Sequence, residues 1–489
     1  MAQAIRYFCS PANRAGHFSL GPPRLLLLPA MPCMAVRRLC PVLALGLSGL
    51  LGAAGQDQWA VLIAGSKSYF NYRHQADVCH AYKVLTERGF DPDKIITMIY
   101  DDVANSGLNP FPGRLYNRPA KSAADAVDVY AGCKKDYTGD KITPDTFVAV
   151  LSGNATGAGG KVLKSTAKDH VFVNFVDHGG VGLIAFPSMG DVLHANRLID
   201  TLKTMHKKGM YEKLVFYLET CESGSMFQGL LPSDLPVYAV TAANAKESSW
   251  GTYCGDDAQV GNKSLNTCLG DLFEVSWMAD SESRDPKQRT ELLSTQFEHV
   301  KKATDKSHVM SYGQVEAIGA EPVASYQGKG MTASGALRGA ADSAQAAAPG
   351  SLVPSRDVKL HLLSREYEAT GSDEAARQLQ EEIRDREAVK SLGQAIAQRA
   401  LGGAEDARAL LGAPLAGGTD FAWTPALADC HERAVEAFGS KCGWTENRLV
   451  LAKALFQLCE RTEGDAAPVV EALGSACGAE PKPEVDLVV

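Results

Sequence analysis

Apolar runs of strand length alternate with helix-like stretches between Trp59 and about Ala320. The helix-like stretches lie around residues 74–88, 121–130 and 191–207. Alternation of this kind predicts an α/β sandwich built around a mostly parallel sheet. The runs with strand character are Trp59–Ala64, Ile95–Tyr100, His170–Val176, Leu214–Glu219 and Val237–Ala243.

The composition of the chain changes after about residue 327. Residues 327–354 are rich in Ala, Gly and Ser and contain few large apolar side chains. Such a segment cannot bury enough apolar surface to fold, so we predict a linker there. The linker divides the chain beyond residue 55 into an α/β domain at 56–320, a linker at 321–358 and a C-terminal domain at 359–489.

The C-terminal domain is predicted to be all-helical, because its apolar residues follow the helical period and no strand-like run interrupts them. Its four cysteines can cross-link a small helical module whose core alone is marginal, and their spacing leaves all three pairings open. Zinc is the rival interpretation, but no Cys-x-x-Cys spacing occurs in the chain. The helix-like stretches cover 373–400, 424–438, 446–461 and 466–475.

The N-terminal segment, residues 1–55, has the features of a secretory signal peptide with an upstream extension. The basic pair Arg37 and Arg38 precedes the apolar run 39–51, and small residues then predict cleavage before about Gln56. Residues 1–33 form the extension, with translation from Met34 as the alternative. No later run approaches the ~20 apolar residues that a membrane helix needs, so we expect no membrane span in the mature chain.

Charge and cysteine content narrow the possible partners. The chain of 489 residues has a net charge of −8 and no basic stripe, so we expect no nucleic-acid partner. Nine of its twelve cysteines follow the signal segment, and an odd number leaves at least one thiol unpaired in an oxidising compartment. Cys221 is the candidate for that free thiol. Asn154 and Asn262 begin glycan-acceptor sequences and are predicted glycosylation sites.

Two of the predicted strands run directly into reactive side chains. His178 follows the strand at 170–176, and Cys221 follows the strand at 214–219 in a turn of small residues. An imidazole can accept a thiol proton, and the carboxyl ends of parallel strands form the usual crevice of such sheets. A buried structural cysteine and an ordinary strand end are the alternatives for each residue alone. The pair together indicates the thiol-based acyl transfer of a cysteine peptidase.

A further polar cluster follows the first predicted strand. Asn71, Arg73 and His74 lie where a helix begins, at the same predicted sheet edge, and we interpret Arg73 as a pocket residue. Metal binding by His74, Cys79 and His80 is disfavoured, because separations of five and six residues do not bring His74 beside either partner on a helix.

No motif indicates a cofactor. The Gly-rich stretch 153–161 lacks the first Gly and the terminal Ser or Thr of a phosphate-binding loop, and no His-Glu-x-x-His sequence occurs. We therefore expect neither a cofactor nor a metal ion.

Taken together, these stretches closely resemble the legumain family, the asparaginyl endopeptidases of vacuoles and lysosomes. The resemblance extends over about residues 59–313, and its motifs are highly specific as a set. They are WAVLIAGS at 59–66, NYRHQADVCHAY at 71–82, DHGG at 177–180, YLETCESGSMF at 217–227, ESSWGTYC at 247–254, CLGDLFEVSWM at 268–278 and SHVMSYG at 307–313.

The resemblance implies a caspase-like αβα fold and a set of catalytic roles. Cys221 is implied as the nucleophile, His178 as the general base and later acid, and Asn71 as a supporting polar residue. The backbone N–H groups of Gly179 and Cys221 are implied to form the oxyanion hole. Asp177 matches the residue that is prone to succinimide formation in the family and is linked to ligase activity.

The resemblance also implies a pocket for an Asn side chain. A carboxamide offers one acceptor, to which Arg73 can donate, and one donor, from which Glu219 and Asp271 can accept. An ionised Asp should be rejected, so we expect cleavage after Asp only at acidic pH, where its carboxyl is protonated. The implied pocket residues are Arg73, His74, Glu219, Ser249 and Asp271.

The C-terminal part matches the family less closely in residues but keeps its arrangement. That arrangement is an activation segment followed by a helical, two-disulfide prodomain that covers the active site as an intramolecular inhibitor. Cys133 has no role in this scheme, and we expect it to be a buried thiol. The implied disulfides are Cys254–Cys268, Cys430–Cys459 and Cys442–Cys477.

The linker departs from the family, because no Asn occurs between Asn266 and Asn447. We therefore predict activation by cleavage after an Asp such as Asp342 or Asp357, favoured by low pH. Peptides and proteins are the expected substrates. The expected destination is the secretory pathway, ending in a vacuole or lysosome by resemblance, or secretion.

Three alternatives share some of these features. A peptide ligase resolves the same thioester with an amine instead of water. The transamidase that attaches lipid anchors shares the His and Cys motifs but lacks the pocket loop at Glu247 and the cysteine-bearing prodomain. A secreted pseudoenzyme that only binds peptides is disfavoured by the presence of both Cys221 and His178.

Overall fold

The structure is a computed structural model of the protein, and it describes residues 56–188, 191–283, 290–330, 351–403 and 422–478. The predicted signal peptide, the alternative start at Met34 and the predicted cleavage site at Asp342 lie outside the described residues. Within the described ranges, no helix has the length and apolarity that a bilayer crossing requires.

A six-stranded sheet forms the centre of the N-terminal part. Its first five strands in chain order pair in parallel, and the last strand is antiparallel at one edge. This confirms the predicted mostly parallel α/β sheet. In spatial order the strands are Met310–Gly313, Val237–Thr241, Lys213–Glu219, His170–Val176, Gln58–Ala64 and Ile95–Met98.

Both faces of the sheet are buried, and each has its own apolar core. Alternate residues of the strand Gln58–Ala64 enter opposite cores, with Leu62 on one side and Val61 on the other. This is why the central strands read as continuous apolar runs rather than as alternating ones. The helices Tyr72–Glu87, Leu272–Glu282 and Leu293–Ala303 cover the first face, and Pro144–Leu151 and Ala195–Lys207 cover the second.

Shorter elements complete the α/β part. Two helices, Ala155–Ala158 and Val315–Gly319, join the larger elements. Three small antiparallel sheets lie outside the main sheet. They are formed by Gly179–Gly180, Leu183–Ala185 and Val192–His194, by Cys268–Asp271, Trp250–Cys254 and Val353–Pro354, and by Gln259–Val260 with Lys263–Ser264.

The C-terminal part is helical, as predicted, and its helix ends follow local sequence signals. Ser372 and Thr424 accept hydrogen bonds from backbone N–H groups in the first turns that follow them, and Gly371 and Gly402 end helices in the left-handed conformation. Its core also contains Leu183 of the α/β part. The helices are Val358–Thr370, Asp373–Leu401, Pro425–Lys441, Leu451–Arg461 and Ala467–Cys477.

Eight cysteines of the described residues form four disulfides, and Cys221 is free. Three of the pairs are those that the family resemblance implies. The fourth corrects the expectation for Cys133, which is bonded to Cys79 and is not a free thiol. The four pairs are Cys79–Cys133, Cys254–Cys268, Cys430–Cys459 and Cys442–Cys477.

The helix expected around residues 121–130 is absent. Asp128 instead forms a β-bridge with Tyr116, and its Oδ1 accepts hydrogen bonds from the backbone of Leu115 and Tyr130. These tertiary contacts replace the local helical bonds that the Ala-rich sequence favours. The helix expected from residue 191 begins only at Ala195, after a short strand.

The predicted linker is packed at both of its described ends. Gln327 is fully buried, its backbone carbonyl accepts from Arg88 Nε at 3.0 Å, and its side chain contacts Ser281 and Gln296. At the other end, Val353 and Pro354 form a strand rather than a solvated tether. Composition alone does not reveal these contacts, because each depends on a partner distant in sequence.

Candidate active site

The main sheet brings the two reactive loops together. The two strands that precede the loops pair residue by residue as far as Val176 and Glu219. His178 and Cys221 each come two residues after this last pair. The loops also touch, because a Cβ placed on Gly179 would lie 2.9 Å from the backbone oxygen of Cys221. A side chain at residue 179 would therefore force the loops apart.

The ring of His178 is oriented by Asn71. The amide nitrogen of Asn71 donates to the backbone oxygen of Lys67 at 3.1 Å and to Glu446, so its Oδ1 faces the ring. The distance from that Oδ1 to Nε2 of His178 is 2.8 Å. An amide oxygen only accepts, which assigns the proton to Nε2 and leaves Nδ1 of His178 as a base.

The thiol of Cys221 is buried and contacts two hydroxyl groups. Its Sγ lies 3.1 Å from Oγ of Ser248 and 3.9 Å from Oγ of Ser249, and no hydrogen bond joins it to His178. Burial raises the pKa of the Cys221 thiol, and burial lowers the pKa of His178 to about 4. Both groups are therefore neutral near pH 7 in this state, and a proton transfer between them is needed before the sulfur can attack.

A fully buried arginine lies among the residues that the family resemblance assigns to the substrate pocket. Arg73 Nε donates to Asp271 Oδ1 at 2.8 Å, and this ion pair raises the pKa of Arg73 although burial opposes it. The backbone N–H of Asp271 donates to Asp77. Arg73 Nη2 has no hydrogen-bond partner among the described residues, so one guanidinium donor remains available to a ligand.

Glu219 supplies the complementary acceptors of this pocket. It is 1% exposed, and neither carboxyl oxygen has a hydrogen-bond partner in the described part of the chain. Burial and the charge of Asp271 raise the pKa of Glu219 well above its usual range. A buried polar group without a partner is costly, so a ligand that donates to Glu219 gains binding energy.

His74 and Asp177 lie between the Arg73–Asp271 pair and His178. The His74 ring packs edge-on against His178 with centroids 5.0 Å apart, and its Nδ1 is 2.6 Å from Ser66 Oγ. Burial lowers the pKa of His74 and raises the pKa of Asp177, whose carboxyl oxygens both lack a hydrogen bond among the described residues, although Oδ1 lies 3.7 Å from His74 Nδ1.

Three potential metal-ligand atoms, from His74, Asp177 and His178, lie within 4.8 Å of one another. Each ring already has one nitrogen in a protein hydrogen bond, to Ser66 or to Asn71. These bonds fix the ring orientations that acid-base chemistry requires. We therefore interpret the cluster as an acid-base site.

The pocket is occupied by residues from the far end of the predicted linker. Val353 and Pro354 pair antiparallel with Gly251 and Trp250. The backbone N–H of Ser355 then donates to the carbonyl of Ser249 at 2.9 Å. This segment thus lies along the edge of the strand Trp250–Cys254 as an added strand.

The side chain of Ser355 enters the pocket. Its Oγ accepts from Ser249 Oγ at 3.1 Å and donates to Asp271 Oδ1 at 3.4 Å. Arg356, the next residue, forms a bidentate ion pair with Glu222 and donates to the backbone oxygen of Gly179 at 3.1 Å. The segment therefore passes from the pocket to the loop of Cys221.

The C-terminal helical part covers the same region. A cavity of about 700 Å³ is lined by both parts of the chain, including His178, Arg356 and Glu446. Glu446 accepts from Asn71 and lies beside His178. The site is therefore closed by two separate segments, the far end of the predicted linker and the C-terminal helical part.

Comparison with known proteins assigns this arrangement to a family. The profile of the Peptidase C13 family matches residues 58–329, which is more than half of the chain. The chain belongs to the peptidase C13 family. It is a cysteine peptidase homologous to legumain, and as a C13 peptidase it acts on peptide substrates.

Three relatives of this C13 peptidase illustrate the similarity. Legumain from Bos taurus is 40% identical over 398 residues, which cover 79% of this chain and 84% of legumain. Vacuolar-processing enzyme beta-isozyme 1 from Oryza sativa subsp. japonica is 38% identical over 442 residues, covering 87% and 85%. A hemoglobinase from Schistosoma mansoni is 45% identical over 318 residues, covering 65% and 69%.

A solved structure of caspase-1 from Spodoptera frugiperda also matches. The match covers 53% of this chain and 87% of the caspase-1 chain, with a TM-score of 0.29 and 12% sequence identity. That likeness is too weak to support an argument, so the fold assignment of the C13 peptidase depends on its own sheet and its family membership.

The structure brings the ten predicted catalytic and pocket residues to one end of the sheet. The predicted glycosylation residues Asn154 and Asn262 are exposed. Sequence reasoning missed several residues that contact the site, among them Ser66 beside His74 and Ser248 beside Cys221. For Glu222 the adjacent cysteine was an available signal, whereas Ser355, Arg356 and Glu446 lie in stretches without a motif.

Proposed function

We propose that this C13 peptidase is an endopeptidase that cleaves after Asn, and after Asp at acidic pH. The observation that carries the proposal is the buried pocket beside Cys221, which offers a free donor on Arg73 and free acceptors on Glu219. One Asn carboxamide satisfies both, because its oxygen accepts and its NH₂ group donates. Ser249 and Asp271 line the same pocket, and His74 borders it.

The catalytic steps follow from the assigned tautomer. Nδ1 of His178 takes the proton of Cys221, and the thiolate attacks the carbonyl carbon that follows the Asn side chain. The N–H groups of Gly179 and Cys221 stabilise the oxyanion. The imidazolium then protonates the leaving amine, and water hydrolyses the thioester with His178 again acting as the base. Asn71 holds the ring throughout.

The described state is the latent form of the enzyme. Ser355 fills the specificity pocket, Arg356 contacts the loop of Cys221, and Glu446 contacts Asn71. A substrate cannot enter until these residues leave. The C-terminal part from about residue 359 is therefore the inhibitory prodomain, and acid conditions release it.

Removal of the prodomain is proposed to be completed by cleavage after Asp342 or Asp357. Asp357 Oδ1 is held by Arg386 at 2.6 Å, two residues beyond the residue in the pocket. Cleavage after Asp357 therefore requires the segment to leave the cleft first. Terminal sequencing of acid-treated protein tests this step, and fragments with neither aspartyl end would reject it.

Passage through the secretory pathway to a vacuole or lysosome is the proposed location. Four disulfides require an oxidising compartment, and the proposed acid activation matches an acidic destination. The relative from Oryza sativa has a vacuolar enzyme name.

The decisive experiment uses acid-treated full-length protein and a fluorogenic peptide that ends in Asn, with Cys221→Ala as the control. Release of the fluorophore by the wild type alone supports the proposal, and no release favours a binding-only protein. A matched Asp peptide is expected to be cut at pH 4.5 but not at pH 7, because only the protonated carboxyl mimics the amide. Equal Asp cleavage at both pH values would refute the proposed pocket chemistry.

A further inference from the structure

The segment in the cleft has the backbone geometry of a bound peptide. Val353 and Pro354 extend the small sheet antiparallel to Trp250–Cys254, and the N–H of Ser355 continues the ladder to Ser249. Addition of a strand to an exposed edge is a general way for proteins to hold extended peptides, with side-chain pockets setting specificity. The segment therefore marks the path that a substrate backbone can take.

The side chains of the segment define two adjacent subsites along that path. Ser355 contacts Ser249 and Asp271 in the pocket that we assign to the Asn side chain. Arg356, the following residue, occupies the position of the substrate residue that comes after the cleaved bond. Its guanidinium contacts Glu222 and the backbone oxygen of Gly179.

Glu222 is a rigid part of this second subsite. Its backbone N–H donates to the carbonyl of Glu247 at 2.8 Å, and its own carbonyl accepts from Ser225 Oγ at 2.6 Å. It has a φ of 48°, and it is 3% exposed. These bonds hold the backbone of Glu222, and neither of them comes from the cleft segment.

The carboxylate of Glu222 depends on the cleft segment for its pairing. Both of its oxygens bind Arg356, and the described residues provide no other hydrogen bond to them. Lys453 of the prodomain adds a favourable charge at longer range. When the cleft segment and the prodomain move out of the cleft, both cations leave Glu222, and a buried carboxylate without a partner remains beside the nucleophile.

We propose that Glu222 sets the preference for the residue after the cleaved bond, and that the enzyme favours Arg there. This inference rests on the proposed function, since it needs Asn in the neighbouring pocket. Arg matches a carboxylate with two parallel hydrogen bonds, whereas Lys offers a single point charge. A neutral side chain leaves Glu222 unpaired, and an acidic side chain is repelled by it.

The test uses full-length protein after acid activation and internally quenched peptides that differ only in the residue after Asn. Arg, Lys, Gln and Glu are compared at pH 6, because burial raises the pKa of Glu222 and lower pH would favour its neutral form. The expected kcat/KM with Arg is about tenfold above that with Gln, and Glu gives the lowest value.

Two results separate this inference from the proposed function. Equal cleavage of all four peptides overturns the role of Glu222 and leaves Asn specificity intact. Cleavage of none of them, with Cys221 intact, overturns both. Neither result depends on a variant that has to fold.

Variants then assign the preference to one residue. Glu222→Gln should bring the ratio of Arg to Gln peptides close to one, because the amide lacks the charge that pairs with a guanidinium. Glu247→Gln is the matched control, since its carboxylate binds His308 instead of Arg356, and it should keep the wild-type ratio. A tenfold Arg preference that persists in Glu222→Gln would overturn the assignment.

Discussion

Oε1 of Glu446 lies 3.6 Å from Nε2 of His178, the ring nitrogen that donates to Asn71. Glu446 belongs to the proposed prodomain and also accepts a hydrogen bond from Asn71. One carboxylate of the proposed prodomain thus contacts both His178 and the Asn71 side chain that orients its ring. Burial lowers the pKa of His178, and the charge of Glu446 partly opposes that effect.

Replacing Glu446 should weaken the latent state. Glu446→Ala removes a charge-assisted hydrogen bond, and partial exposure of the side chain limits the loss to roughly 1–1.5 kcal/mol. We expect the unprocessed protein to hydrolyse a fluorogenic Asn peptide about tenfold faster than the wild type at pH 7. Glu446→Gln keeps the acceptor for Asn71 and should give an intermediate rate. A rate for Glu446→Ala no higher than that of the wild type contradicts the prediction.

Placing a carboxamide at residue 355 should convert the blocking segment into a substrate. Ser355 occupies the proposed Asn pocket, so Ser355→Asn puts the preferred side chain beside Cys221. Acidification should then cut the chain after residue 355, and amino-terminal sequencing should find a fragment that begins at Arg356. Ser355→Gln, one methylene longer, is the matched control and should be cut at least tenfold more slowly.

The same Ser355→Asn protein carrying Cys221→Ala should remain uncut, which distinguishes self-cleavage from a contaminating peptidase. If the active Ser355→Asn protein yields no fragment that begins at Arg356, Ser355 does not lie in the cleavage register. The substrate path inferred for Arg356 would then also be wrong.

The sheet and its two reactive loops were predictable, because local sequence determines them. Strands buried on both faces give continuous apolar runs, and a loop that follows such a strand must emerge at the sheet edge. His178 and Cys221 could therefore be placed together without coordinates. The helix expected at 121–130 does not form for the opposite reason, since Asp128 pairs with Tyr116 and accepts from the backbone of Leu115, which are contacts outside the segment itself.

The groups that close the site could not be predicted from the chain. Asn71 and Glu446 are 375 residues apart in the sequence, and Arg356 and Glu222 are 134 residues apart. No local periodicity or motif spacing therefore predicts that these residues are in contact. The segment around Ser355 follows a stretch whose composition indicates a linker. Its order comes from an added strand, which depends on the exposed edge of Trp250–Cys254 and not on its own propensity.

A histidine pair joins the C-terminal helical part, the proposed prodomain, to the α/β part. Nε2 of His194 is 3.0 Å from Nδ1 of His431, and the second nitrogens contact the N–H of Asn196 and the carbonyl of Ala452. These partners place one proton on Nε2 of each ring, so that His194 donates to Nδ1 of His431. A second proton on Nδ1 of His431 would therefore break the hydrogen bond between the two rings. The aromatic rings of Trp423 and Phe456 pack against His431, and Glu432 Oε1, 3.9 Å from His194, is the acidic group that faces the pair.

Protonation of this pair should help to release the prodomain. Burial lowers the pKa of both rings, to about 4 for His431, whereas released rings titrate near 6.5. The closed form is therefore fully favoured above pH 6.5 and loses stability as the pH falls toward 4. His431→Gln keeps polar contacts but removes one titration, so the pH of half-maximal release should fall by about half a unit or more.

The release can be followed by acid-dependent activity or by separation of the two parts on a sizing column. His299→Gln is the matched control, because His299 is exposed and outside the prodomain contact, and it should keep the wild-type midpoint. An unchanged midpoint in His431→Gln would exclude this pair as a contributor to acid release.

The Cys79–Cys133 disulfide should stabilise the α/β part. It joins the helix Tyr72–Glu87 to a long loop across 54 residues, and a cross-link of that span is typically worth about 2–4 kcal/mol. Cys133→Ser should lower the free energy of unfolding by that amount in urea, measured by tryptophan fluorescence at pH 7. Adding Cys133→Ser to a Cys79→Ser protein should change almost nothing further, because the bond is already lost. Two fully additive losses would mean that each cysteine acts through its own packing and that the bond contributes little.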